Sequence, residues 1–258
     1  APKRGDVAST PGDDAAILRH GEGWQVLTTD HLRAFTEDPV TFARIAAVHA
    51  LGDVWSMGAA PQAGTAAVIL PRMDADMAQA TLAELLEPAA EVFRAEGAEL
   101  VGGHTSLGDE MTLGFTVTGL TGSAPITLAG ARPGDALILT KPIGSGTLLA
   151  AEMRGAARGE DVAAALDEMA RPQGDAARAL APHTHAMTDV TGFGLAGHLW
   201  NICLASGVAA RLDLSAVPVL EGAEALAAAG IRSTLWPENR TALDGRLSGE
   251  TDSARATL

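Results

Sequence analysis

The feature that most constrains the fold is the alternation, along the first half of the chain, of short strand-like segments with longer segments of helical periodicity. Residues 24–29 have the β-branched and apolar content of a strand and run into Asp30. Asp38-Pro39 is an N-cap and first-turn pair. Val40, Ile45, Val48, Leu51 and Val54 follow it at helical spacing, which predicts a helix ending near Gly58. Residues 65–70 read as a strand, 76–96 as an amphipathic helix stopped by Gly97, and 99–101 and 111–120 as further strands. A block that alternates in this way is confined to a sheet layered with helices.

A Gly- and Pro-rich stretch, residues 122–134, interrupts the alternation and marks an expected domain boundary, with one domain over 1–121 and a second over 122–258. The second block predicts strands at 136–140 and 208–214. Helices are expected at 147–154, 161–169, 175–180, 194–205 and 220–229, with a turn at 141–146. No internal repeat is present.

Composition excludes several functions. The longest apolar runs, 66–70 and 136–139, fall far short of the roughly 20 residues that cross a bilayer, and no basic-then-apolar leader opens the chain, so no membrane partner is expected. One cysteine, Cys203, rules out an internal disulfide framework and a cysteine-based zinc site, and fits a reducing, cytoplasmic setting. A net charge of −14 disfavours nucleic acid as a partner, because binders of phosphate backbones carry basic patches. Both ends read as cut: the chain starts at Ala1 without methionine and stops in a polar tail.

Four aspartates sit where turns meet regular structure: Asp14, Asp30, Asp53 and Asp189. Each alone reads as a cap or turn residue. Each is also flanked by small or apolar residues, where a carboxylate needs a cation or hydrogen-bond donors. Magnesium suits that need, taking one or two carboxylates and completing its shell with water and phosphate. His49 lies four residues before Asp53, on the same helical face; it either points at that site or is a hydrogen-bonded core histidine. His183 and His185 lack a third soft ligand and read as residues of a solvated loop. Gly102-Gly103-His104-Thr105 places two glycines after a strand, as a nest for anionic oxygens or as a tight turn. Gly192-Phe193-Gly194-Leu195-Ala196-Gly197 fits a dinucleotide fingerprint, but the segment before it is too polar for a buried parallel strand. Cys203, in an apolar helical stretch, reads as a buried structural thiol.

Taken together, Asp13-Asp14-Ala15-Ala16, Thr28-Thr29-Asp30, Gly52-Asp53-Val54-Trp55-Ser56-Met57-Gly58, Gly102-Gly103-His104-Thr105 and Thr140-Lys141-Pro142-Ile143-Gly144 resemble, in order, the AIR-synthase-like ATP-binding superfamily. The stretch from Met187-Thr188-Asp189-Val190 through Gly197-His198-Leu199 is similar to the signature of its selenophosphate synthetase family. The resemblance implies an α+β fold in two domains, a dimerising N-terminal sheet domain and an incomplete C-terminal α/β sandwich. It implies ATP-dependent phosphorylation of selenide, with Mg2+ as cofactor, ATP and selenide as substrates, and a homodimer. By that resemblance Asp14, Asp53 and Asp189 would hold magnesium, Asp13, Asp30 and Asp53 would contact ATP, and Gly103, His104 and Thr105 would reach the ATP of the other subunit. The family's Cys- or selenocysteine-Gly-x-Lys loop would lie upstream of residue 1 and its closing segment beyond residue 258, so no catalytic nucleophile is expected within this chain. His49 stands where the family pattern has asparagine.

Overall fold

The computed structural model describes residues 4–9, 12–249 and 251–258. The chain forms two compact units. The first holds residues up to Thr127 together with Ala170–Asp189; the second holds Leu128–Met169 and Val190–Leu258.

The first unit is a five-stranded sheet with helices on one face. Its elements are β1 (Ala16–His20), β2 (Gly23–Arg33), α1 (Pro39–Ser56), β3 (Ala60–Pro71), α2 (Ala75–Ala95), β4 (Glu99–Gly108) and β5 (Thr112–Thr121). The spatial order is β1-β2-β5-β3-β4, antiparallel throughout except for the parallel pair β3–β4. This mixed sheet with packed helices agrees with the α+β class expected from the sequence.

The period-2 pattern of β3 decides which face is covered: Ala66, Val68 and Leu70 are buried, while Thr65, Ala67 and Ile69 are exposed. The covered face packs against α1 and α2 through Phe42, Leu51, Val54, Leu85 and Phe93, which meet Val26, Leu113, Phe115 and Val117. Phe93 and Phe115 stack at 5.2 Å between ring centroids. Gly64 makes that possible, because a Cβ there would lie 2.5 Å from Phe93 Cε1.

The helix limits follow from local chemistry. Asp38 accepts from Val40 N and Thr41 N at 3.1 and 3.2 Å and starts α1 as expected. Asp74 caps α2 by accepting from Met77 N, so the helix starts at Ala75 and Asp76 falls in its first turn. Gly97, with φ of 82°, ends α2 in the left-handed region.

Two expectations are corrected. The Gly102-Gly103-His104-Thr105 segment is neither a nest nor a turn: β4 runs through it, with Gly103 opposite Ala66. A Cβ at Gly103 would lie 2.3 Å from the Ala66 carbonyl oxygen, so the glycine permits a close approach of two strands beside a register shift. The strands expected at 136–140 and 208–214 are absent, and Leu137 and Ile138 are 51% and 66% exposed. Strand character is realised only when backbone partners are present. Among the described residues the second unit has an isolated parallel bridge, Ile143 to Val219.

The second unit is otherwise helical, with α3 (Ser145–Glu152), α4 (Gly159–Ala170), α6 (Gly194–Ser206), α7 (Ala223–Ala228) and α8 (Trp236–Ala242); α5 (Gly174–Leu180) belongs to the first unit. Its buried centre is small, Leu148, Ala165 and Ala223, with Val219, Leu220 and Leu226 packed around them. The short α8, which opens with Pro237 in its first turn, was not expected from periodicity.

The contrast between Phe93 and Val101 tests this layout. Phe93→Ala should cost about 3–5 kcal/mol, the range for deleting a buried aromatic. Val101→Thr, on a residue 65% exposed, should change stability by about 0.5 kcal/mol or less. Urea denaturation measures both, and similar losses would contradict the placement of the core.

Candidate functional site

The site is built on the last turns of α1 and on the covered face of β2. Helical spacing puts His49 and Asp53 on one side of α1, with Ser56 a turn further on. In β2, Val26, Thr28 and Asp30 alternate onto the face that α1 covers. Asp14 lies just before β1. Asp189 comes from the end of the Ala170–Asp189 segment, which packs with this unit.

The Asp14 carboxylate is the most completely hydrogen-bonded of the set. Ser56 Oγ donates to its Oδ2 at 2.6 Å, Thr188 Oγ1 donates to its Oδ1 at 2.9 Å, and the Asp189 N–H adds a third bond. The Ser56 hydroxyl also lies 2.9 Å from the Asp53 carbonyl oxygen. Thr28 Oγ1 donates to Asp53 Oδ2. Asp189 Oδ2 lies over Gly52, where a Cβ would sit only 3.2 Å from it. Asp30 is tied down at both oxygens: the His31 N–H donates to Oδ1 at 2.8 Å and His49 Nε2 lies 2.6 Å from Oδ2. Both alternatives for His49 therefore hold in part, since it is a mostly buried, hydrogen-bonded residue and it also feels the charges of Asp53 and Asp189.

Electrostatics separates these carboxylates into two kinds. Burial pushes Asp53 up to about 7, with the charges of Asp14 and Asp30 adding to the rise and the Thr28 bond opposing it. Burial also pushes Asp189 up, to about 8, reinforced by Asp53 and Asp14. Asp14 is raised by burial despite its hydroxyl donors. Asp30 goes the other way: burial would raise it, but the His49 hydrogen bond and charge outweigh that and lower it. His49 is correspondingly raised, because its bond to Asp30 and the fields of Asp30, Asp189 and Asp53 outweigh its own burial.

Three partly desolvated carboxylates that oppose one another's ionisation make a donor set of hard oxygens, which fits a divalent cation. They do not form a closed cage: among the described residues no group of three His, Cys, Asp or Glu side chains could hold a metal ion by itself. Magnesium asks less, since water and phosphate fill most of its shell.

Other expected residues lie elsewhere. Asp13 contributes to the field on Asp14. Gly103, His104 and Thr105 lie on β4, separated from β2 by β5 and β3. His183 and His185 are exposed, and Cys203 is buried with its thiol raised by burial. The segment before α6 is not a strand, as expected, and His198 Nε2 there accepts from Thr191 N at 3.1 Å. The hydroxyls of Thr28, Ser56 and Thr188 were not singled out from the sequence. Their signal was their place beside the aspartates, within the same motifs.

The metal-free chain should lose stability as pH rises from about 4 to about 8. Asp53 and Asp189 keep protons in the folded state at pH values where the unfolded carboxylates, with ordinary values of about 4, have lost them. Stability from raised groups is present below the unfolded value and disappears as pH passes the folded one; His49 has the same sign, and Asp30 acts below this window. Asp53→Asn should flatten the slope. Thermal melting in excess chelator measures it, and a melting temperature that climbs across the window would contradict the assignment.

Models of the AIR synthase related protein match the chain, the N-terminal domain over residues 12–121 and the C-terminal domain over 132–237. The chain is 38% identical over 220 residues to the selenide, water dikinase of Aeromonas hydrophila, covering 83% of this chain and 63% of that protein. It is 35% identical over 240 residues to the selenide, water dikinase of Citrifermentans bemidjiense, covering 92% of this chain and 69% of that protein. The chain thus spans less than two thirds of the Aeromonas protein. The solved structure "AaThiL complexed with AMPPCP and TMP" shares the fold, with a TM-score of 0.73 at 18% identity over 97% of this chain and 76% of that one. The two domain models and the shared identity along most of its length show that the chain belongs to the selenide, water dikinase family and has the two AIR-synthase-like domains of that fold.

Proposed function

We propose that this chain is the ATP- and magnesium-binding body of an enzyme that converts ATP, selenide and water to selenophosphate, AMP and orthophosphate. The observation that carries the proposal is the cluster of Asp14, Asp53 and Asp189, three half-buried carboxylates with raised proton affinity in a chain of this family. A cation bound there would neutralise charge as it moves between phosphoryl groups. The chain's own residues prepare the place. Ser56, Thr188 and the Asp189 N–H orient Asp14, Thr28 orients Asp53, and Gly52 leaves room for Asp189. Asp13, Asp30 and Asp53 are the proposed ATP contacts, with Asp30 held in place by His49 and the His31 N–H.

A homodimer is part of the proposal. β4 pairs on one side with β3, and it exposes Val101 and Leu107 at 65% and 54%. The face of β3 away from the helices presents Thr65, Ala67 and Ile69. An open apolar strand edge of this length invites pairing. It would place Gly103, His104 and Thr105 where a second copy meets the first. The alternative reading, a nucleotide-binding and dimerisation module without catalysis of its own, draws on this same edge. A cytoplasmic setting is proposed with both readings; no helix among the described residues is long and apolar enough to cross a membrane.

ATP binding should require magnesium, since aspartates and triphosphate otherwise repel. In calorimetry, Asp53→Asn should weaken magnesium-dependent ATP binding by about tenfold or more, about 1.4 kcal/mol. Asp109→Asn, in an exposed turn outside the cluster, should stay within about twofold. Equal ATP affinity with and without chelator would contradict the cation site.

Light scattering should give a mass of twice the chain's 26.3 kDa. Placing lysine at Val101 and Leu107 together should shift the mass to the single chain. A monomer for the unmodified protein at micromolar concentration would contradict the dimer.

A further inference from the structure

Thr188 and Asp189 reach the carboxylate cluster at the end of Ala170–Asp189, a segment that packs with the first unit. α5 lies against α1. At its first residue, Gly174, an added Cβ would sit 2.2 Å from Glu96 Oε2, 3.1 Å from Trp55 Nε1 and 3.2 Å from Arg178 Nη1. The backbone of the segment is therefore pressed against one residue of α1 and the C-cap residue of α2.

The polar atoms at this contact are unusual. Trp55 Nε1 and Glu96 Oε2 are both buried and have no hydrogen-bond partner among the described residues. Arg178 donates instead to Asp175, a pair exposed at 61% and 98%. An indole N–H only donates and a carboxylate oxygen only accepts, so the two unpartnered atoms facing the same glycine are complementary. A hydrogen bond between them would remove the cost of two buried unpaired groups. Trp55 also belongs to the turn of α1 that carries Asp53 and Ser56.

We propose that Trp55, Glu96 and Gly174 form an anchor that seats the Ala170–Asp189 segment and thereby positions Thr188 and Asp189 beside Asp14 and Asp53. These are positioning residues, and the inference rests on the reading of Asp189 as a cation ligand. A side chain at Gly174 would displace the Glu96 carboxylate and crowd Trp55 Nε1, so the glycine lets both groups sit close to the segment.

Hydrogen exchange and Mn2+ affinity, the latter by electron paramagnetic resonance in the presence of ATP, test the anchor in the whole chain. Trp55→Phe and Glu96→Leu should each speed amide exchange across 170–189 by about tenfold while the central strands keep theirs. Each should also weaken Mn2+ binding by about tenfold. Glu96→Gln, which retains an acceptor oxygen, should stay within about twofold on both readouts. Unchanged exchange in the first two variants overturns the anchor, as does faster exchange with unchanged Mn2+ affinity. Asp189→Asn tells the two failures apart. If it binds Mn2+ as tightly as the unmodified chain, the ligand reading has failed; if it weakens Mn2+ and the anchor variants do not, the anchor has.

Discussion

Mutual repulsion among Asp14, Asp53 and Asp189 is the constraint around which the first unit is arranged. Each of these carboxylates is partly removed from water, the charge of Asp14 raises Asp53, and the charges of Asp14 and Asp53 raise Asp189. Such an arrangement persists only where the surrounding structure holds it. Here the surroundings are α1, fixed at its start by the Asp38 cap and along its length by apolar contacts to β2 and β5, and three hydroxyl donors set around the acids. The sheet places Thr28 and Asp30 opposite α1 because the inward positions of β2 continue the line begun by Val26. Packing energy from the aromatic and aliphatic core therefore sustains an electrostatically unfavourable cluster.

The cluster is also divided in its chemistry. Asp30 and His49 are paired, and they act on Asp53 and Asp189 in opposite directions, Asp30 raising them and His49 lowering them. Among the described residues Asp53 and Asp189 show no cationic partner at hydrogen-bonding distance, and they hold protons to higher pH instead. A cation would replace those protons, which is why metal affinity and pH should be linked. The imidazole at residue 49 matters for the same reason: it adds a titratable cation beside acids whose ionisation a metal would require.

Much of the first unit was legible in the sequence because its signals are local. The Asp38-Pro39 cap, the apolar spacing through Val54 and the Gly97 stop each depend on residues within a few positions of one another, and α1 and α2 formed where expected. What failed depended on distant partners. The glycines of β4 read as a turn because the backbone of β3, which they must approach closely, lies some forty residues earlier at Ala66. Residues 136–140 and 208–214 have strand composition without strands to pair with. The four aspartates could be named from their turn contexts. Their convergence could not be derived that way, because Asp189 arrives by way of a segment whose seat, at Trp55 and Glu96, has no signature in spacing or composition. The hydroxyls of Thr28, Ser56 and Thr188 were hidden for a related reason, since a donor is recognisable only once its acceptor is in place.

The central proposal is that divalent cation binds among Asp14, Asp53 and Asp189 against nucleotide. Crystals grown with AMPPCP and Mn2+, measured for anomalous scattering from manganese, test this directly. The account predicts manganese within coordination distance of oxygens from at least two of these three carboxylates and of the nucleotide's phosphates. Bound nucleotide with no manganese at the three aspartates, or manganese held only at other residues, would contradict it.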